Sequence, residues 1–217
     1  MLTANNPNRK SWLEVSPTSD FPIQNIPFGV FMANDDHLTI GTRIGNYAID
    51  LNALHQLGYF EGIVLPEDVF LQDTLNDFIT LGRAICRQVR NRIADLFDAE
   101  NASLQSKQSH VKEIIFKVED VQMLMPVFVQ DYTDFYSSRE HAENVGTMFR
   151  GKENALMPNW LHLPVGYHGR SSSILVSGEN IHRPKGQTMP EGADKPVFGP
   201  SKLMDFELEI AFITTDG

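Results

Sequence analysis

Cysteine is nearly missing from this chain: Cys86 is the only one among 217 residues. A single thiol cannot close an internal disulfide, so a reducing compartment is expected. Cys86 sits in an apolar-periodic segment with no histidine beside it, which reads as a buried structural thiol rather than a nucleophile. Paired-cysteine motifs, His-Glu-x-x-His and Gly-x-Ser-x-Gly are all absent, so zinc and serine-hydrolase readings find no support. No apolar run approaches the roughly 18 residues that suggest a membrane-spanning helix. Residues 1–10 are polar without an apolar centre, so a secretory signal is not expected. Positive charge is scarce: 18 Lys and Arg face 28 Asp and Glu, a formal charge of −10. The excess is −4 over residues 1–118 and −6 over residues 119–217. General nucleic-acid binding needs a basic footprint that this balance does not offer. A soluble cytoplasmic protein is the expectation.

What is present is globular: 41% hydrophobic residues and 10% aromatics, enough for a sizeable core. Residues 1–20 are polar with two prolines and read as a loose leader. Phe28 to Met32, Leu38 to Arg43 and Tyr47 to Leu51 read as strands. The last two are joined by Ile44-Gly45-Asn46, a hairpin signal. Asp73-Thr74 opens a helical stretch. Leu75, Phe78 and Ile79, then Ile85, Val89, Ile93, Leu96 and Phe97, recur at spacings of three and four around a break at Gly82. Arg83, Arg87, Arg90 and Arg92 cluster there and read as a solvated face. Residues 99–110 are polar, a linker or a short helix.

From about residue 118 the texture changes. Seven of twelve prolines, nine of fifteen glycines and four of seven histidines lie from Pro126 onward. Long helical periodicity is not evident, which reads as a loop-rich β domain with its boundary near 118. Four features there bear on chemistry. Asp131 to His141 packs acids, tyrosines, Arg139 and His141 into eleven positions. His141 suits general-base work near neutral pH. The alternative is a helix start capped by Asp134, with His141 on a surface turn. Residues 202–212 alternate strictly: Met204, Phe206, Leu208, Ile210 and Phe212 on one strand face, Asp205, Glu207 and Glu209 on the other. Adjacent Glu207 and Glu209 must raise their pKa values, face water, or share a cation such as Ca²⁺ or Mg²⁺. Asp134 is a candidate third ligand. Gly146 to Lys152 has the spacing of a phosphate-binding loop, but Glu153 follows where Ser or Thr is needed and no buried strand precedes, so that reading is rejected. Finally, residues 159–173 mix Trp160, His162, Tyr167, His168 and Arg170 with glycines. Arg150 and Arg170 are candidate carboxylate clamps. His162 and His168 fit scaffold roles equally well.

Taken together, residues 131–139, 148–156, 158–170 and 205–209, with Phe21 to Phe31 near the start, resemble the fumarylacetoacetase (fumarylacetoacetate hydrolase) family. The resemblance runs from about residue 20 onward and is densest over 126–212. It implies a fold that is mainly β with some α: a small SH3-like barrel domain with helices over 21–117, then an incomplete β-sandwich roll over 118–217. It implies a homodimeric hydrolase that splits 4-fumarylacetoacetate into fumarate and acetoacetate, the last step of tyrosine breakdown. By matched position it implies Asp134, Glu207 and Glu209 as Ca²⁺ ligands (Mg²⁺ also suits them), His141 as the base that activates water, and Tyr136, Arg150 and Tyr167 as substrate-binding residues. Family chains are about twice as long, and further site residues fall downstream of Gly217. The expectation is therefore an N-terminal half, inactive alone, that stops in or just after a sandwich strand. Alternatives are an acylpyruvate hydrolase or 2-oxo-acid decarboxylase of the same superfamily, or a non-catalytic interaction module.

Overall fold

A computed structural model describes residues 3–34 and 36–214. The expected stop at Gly217 falls outside them. Contacts divide the chain into two units, 1–126 with 176–217, and 127–175.

The first unit is built on strands β1 (Phe28–Ala33), β2 (His37–Ile44) and β3 (Tyr47–Asp50). Gly45 takes φ +58° between β2 and β3, the left-handed conformation that the Gly-Asn pair signals. Helix α1 (Leu51–Gln56) follows without a linker. Then come α2 (Asn76–Thr80), α3 (Gly82–Leu96), α4 (Ala102–Gln105) and α5 (Gln108–Ile114). Strands β4 (Ile115–Lys117) and β5 (Val121–Leu124) complete a five-stranded antiparallel sheet ordered β4-β3-β2-β1-β5. It curls into a half-barrel, in line with the small barrel expected.

Side chains alternate across this sheet. On one face Phe31, Ala33 and Ala48 form a cluster with Phe116, Val118 and Val121. Gly41 is required there: a Cβ would lie 2.2 Å from the Phe31 ring. The other face carries Val30, Ile40, Ile44 and Ile49, all fully buried. The Phe28 ring meets Phe78 of α2 edge-on at 5.0 Å. The helical face predicted from spacing is the buried one, with Phe78, Val89, Ile93 and Phe97 each at 1% exposure or less. The break falls at Gly82, where φ is +85°.

Asp50 ties the sheet to α1. It is fully buried and caps the helix by accepting the Ala53 N–H at 2.9 Å. The same carboxylate accepts the Thr39 hydroxyl at 2.7 Å and meets His37 Nε2 at 2.6 Å.

Two expectations change here. The leader is docked rather than loose. Ala4 is fully buried, and Trp12 stacks on Phe97 at 5.2 Å while its indole N–H donates to the Leu96 carbonyl at 3.0 Å. Arg9 pairs with Asp95 at 2.8 Å and Asp98 at 3.2 Å. The arginine cluster on α3 is solvated only in part. Arg83 and Arg87 are exposed. Arg90 instead donates to Asn5 and to the Gln24 carbonyl, and Arg92 to the carbonyls of Tyr59 and Glu61.

Strands β6 (Thr133–Phe135) and β7 (Gly166–His168) lie in the second unit, with helix α6 (Arg139–Arg150) between them. Strands β8 (Lys185–Thr188) and β9 (Val197–Pro200) pair in the first. Where the resemblance implied an incomplete sandwich, the described residues hold two separate two-stranded ribbons, β6–β7 and β8–β9. A twelve-residue helix where helical periodicity was not expected is the main correction in this half.

Candidate active site

Residues 127–175 hold five of the seven site residues that the resemblance implies: Asp134, Tyr136, His141, Arg150 and Tyr167. Along 132–136 exposure alternates: Tyr132, Asp134 and Tyr136 are half-buried, Thr133 and Phe135 exposed. The first three therefore share one face. Pairing of β6 with β7 sets Tyr167 opposite Asp134. The Tyr167 hydroxyl donates to Asp134 Oδ2 at 3.0 Å. That bond, with a lesser one involving Tyr132, pushes the Tyr167 pKa up to about 12. Deprotonation would set a second negative charge against the carboxylate. Two glycines make the ribbon fit. A Cβ on Gly166 would come 2.6 Å from the Asp134 carbonyl, and one on Gly169 would come 2.1 Å from the Tyr132 ring.

The cap of α6 is Ser138, not Asp134. Its hydroxyl accepts the His141 N–H at 3.2 Å. A cap sits one residue before the helix, and Asp134 is occupied across the ribbon instead. His141 therefore lies in the first helical turn, half-buried. Its ring meets Tyr136 edge-on at 5.4 Å and 81°. Tyr136 directs its hydroxyl to the Ala142 carbonyl at 3.4 Å. At the far end of α6, Arg150 donates through Nη2 to the Ala155 carbonyl at 2.7 Å and through Nε to that of Asn154 at 3.1 Å. Gly146 to Arg150 are helical, so this stretch makes no phosphate-cradling loop, as the sequence context predicted.

Beyond the helix, Trp160 donates its indole N–H to the Tyr136 carbonyl at 2.8 Å. His168 pairs with Asp131 at 3.7 Å, both largely exposed. Arg170 and His162 are exposed.

Glu207 and Glu209 belong to the other contact unit, in an exposed segment. Among the described residues, 203–214 belong to no strand, contrary to the alternation. Alternation gives a chain two faces, but a strand exists only where a neighbour completes its hydrogen-bond ladder. Phe206, Leu208 and Ile210 are each more than 90% exposed, so the apolar face has no cover among the described residues. Likewise, no three His, Cys, Asp or Glu side chains among the described residues are grouped to hold a metal. The donor chemistry of Asp134, Glu207 and Glu209, all carboxylate oxygens, suits a hard divalent cation.

Sequence reasoning missed Ser138, and it placed Trp160 and the two glycines in a pocket loop without their backbone roles. Ser138 alone carried a local signal, a hydroxyl residue just ahead of a charged helix start.

Residues 24–126 match the family model described as Fumarylacetoacetase N-terminal. Almost the whole chain is similar to proteins of that name. It is 49% identical to fumarylacetoacetase of Dictyostelium discoideum over 203 residues, 93% of this chain and 48% of that one. It is 48% identical to the Homo sapiens protein over 210 residues, 95% and 50% of the two chains. It is 50% identical to the Caenorhabditis elegans protein over 206 residues, 94% and 49%. The chain belongs to the fumarylacetoacetase family and corresponds to its N-terminal half. It spans about half the length of the curated relatives it matches. No helix among the described residues is long and apolar enough to cross a membrane.

Proposed function

We propose that this chain supplies the water-activating and substrate-binding part of a hydrolase that cleaves the carbon–carbon bond of 4-fumarylacetoacetate to fumarate and acetoacetate. The observation that carries this reading is the near-50% identity to fumarylacetoacetases over almost the whole chain. The presence of Asp134, Tyr136, His141, Arg150 and Tyr167 in one unit supports it. In this reading His141 takes a proton from water, and the resulting hydroxide adds to the carbonyl carbon. Collapse of the tetrahedral oxyanion breaks the carbon–carbon bond and leaves the electron pair on acetoacetate as an enolate, whose carbon then takes up the proton that His141 removed from water. Arg150 presents its remaining N–H groups to a substrate carboxylate. The Asn154 and Ala155 carbonyls hold the guanidinium in place beforehand. Tyr136 and Tyr167 orient the substrate through their hydroxyls. Asp134, Glu207 and Glu209 are the proposed oxygen ligands of Ca²⁺ or Mg²⁺. When bound, that cation supplies positive charge that polarises a dicarbonyl oxygen.

The same proposal includes a homodimer in the full-length protein, a cytoplasmic location, and no turnover by these 217 residues alone. The uncovered apolar face of 203–212 supports the last point. The test is loss of fumarylacetoacetate absorbance with added Ca²⁺. A full-length protein should show it and lose it on His141→Asn. No loss by the full-length protein would sink the substrate assignment. Metal-dependent turnover by the purified 217-residue chain would refute the inactivity.

A further inference from the structure

We infer that Trp160 is a positioning residue for His141, acting through Tyr136; the inference rests on the reading of His141 as the base. Both backbone groups of Tyr136 are fastened. Its N–H donates to the Val165 carbonyl at 2.9 Å, continuing the β6–β7 pairing by one residue. Its carbonyl, one residue past the end of β6, accepts the Trp160 indole N–H at 2.8 Å. With its backbone held on both sides, Tyr136 presents its ring edge-on to His141 at 5.4 Å. Ser138, two residues further on, caps the helix that carries the imidazole. Trp160 thus fastens the corner from which His141 is aimed.

Tryptophan suits this place. The indole offers one donor and no acceptor on a large apolar body. Trp160 is half-buried on a short 3₁₀ turn, Pro158–Leu161, whose Pro158 fixes φ at its start. Phenylalanine would keep the apolar body and delete the donor alone. The Tyr136 carbonyl would then lose its protein partner, and the corner would be free to shift. Misplacement of a catalytic group by about 1 Å can cost on the order of a hundredfold in rate.

The test is W160F, read in two ways. In the 217-residue chain, aromatic NMR should show Tyr136–His141 ring contacts. In W160F these contacts should weaken at least about twofold, while far-UV circular dichroism and the β6–β7 amide signals stay put. In full-length protein, W160F should lower kcat about tenfold or more with KM changed less than about twofold. Unchanged ring contacts in W160F overturn the inference. So does an equal effect from L161A, an exposed neighbour on the same turn, since that would mark general loosening. His141→Asn with full turnover would remove His141 from the reaction. That failure is distinguishable, because the ring contacts in W160F are read without any substrate.

Discussion

Replacing Asp50 by alanine removes three hydrogen bonds at one stroke. The carboxylate is fully buried and holds the Ala53 N–H, the Thr39 hydroxyl and His37. Their losses differ. The His37 side chain is 45% exposed, so water can replace its bond. Thr39 keeps a weaker contact to the Ile40 carbonyl at 3.2 Å. The Ala53 N–H, in the first turn of α1, has no intrahelical partner. Losing the cap costs about 1 kcal/mol, and losing buried bonds to a charged acceptor about 1.5–3 kcal/mol. Asp50→Ala should therefore destabilise by about 3 kcal/mol, a large share of a domain's stability. Asp50→Asn keeps an acceptor for Ala53 and Thr39 and should cost about 1 kcal/mol. The assay is urea unfolding followed by Trp12 fluorescence in a W160F background, which leaves one tryptophan, stacked on Phe97. The midpoint should fall with the slope unchanged. A loss below about 1 kcal/mol for Asp50→Ala, or an Asn variant as damaged as the Ala variant, would refute the three-way tie.

Three further outcomes are expected. Gly146→Ala places a Cβ 1.9 Å from the Ala155 carbonyl and should cost about 1–3 kcal/mol, seen as an earlier thermal loss of α6 signals by NMR; an unchanged melting profile would contradict the packing. Tyr167 should ionise near 12 rather than 10, and Asp134→Asn should bring it down; the sign follows because the folded protein holds this proton more tightly, so any stability it confers is lost as pH rises from about 10 through about 12. Phenolate absorbance across an alkaline titration checks this. Burial pushes the Cys86 thiol up, so thiol-specific reagents should react slowly at neutral pH and faster once urea exposes the residue; fast labelling of the folded chain would speak against it.

The strands β1 to β3 were legible because each carries β-branched or aromatic residues, and a Gly-Asn turn that needs a positive φ separates β2 from β3. The α2–α3 face was legible because its apolar residues are large and regularly spaced. Helix α6 was not. Its buried positions, Ala142 and Gly146, are small, while Met148 and Phe149 are about three-quarters exposed, which blurs the pattern. The leader hid for another reason. Arg9 and Trp12 dock through ion pairs and single hydrogen bonds that have no period. Residues 203–212 show the converse: alternation states a preference, and pairing depends on a neighbour that no local pattern specifies. Within the candidate site, the reactive residue types stood out by chemistry. Ser138, Trp160, Gly166 and Gly169 hold them through backbone atoms, and a backbone partner leaves little trace in sequence.

The docked leader has a consequence for where this domain can be cut. The family model's match begins at residue 24, yet Ala4 and Leu13 are buried before it, and Trp12 covers Phe97. A protein trimmed to the family model's match would bare that aromatic surface and strip Asp95 and Asp98 of Arg9. The boundary drawn by the family model thus lies inside the boundary drawn by packing. Expression trials that start at residue 24 should yield sticky, poorly soluble material, where those that keep the first twenty residues do not.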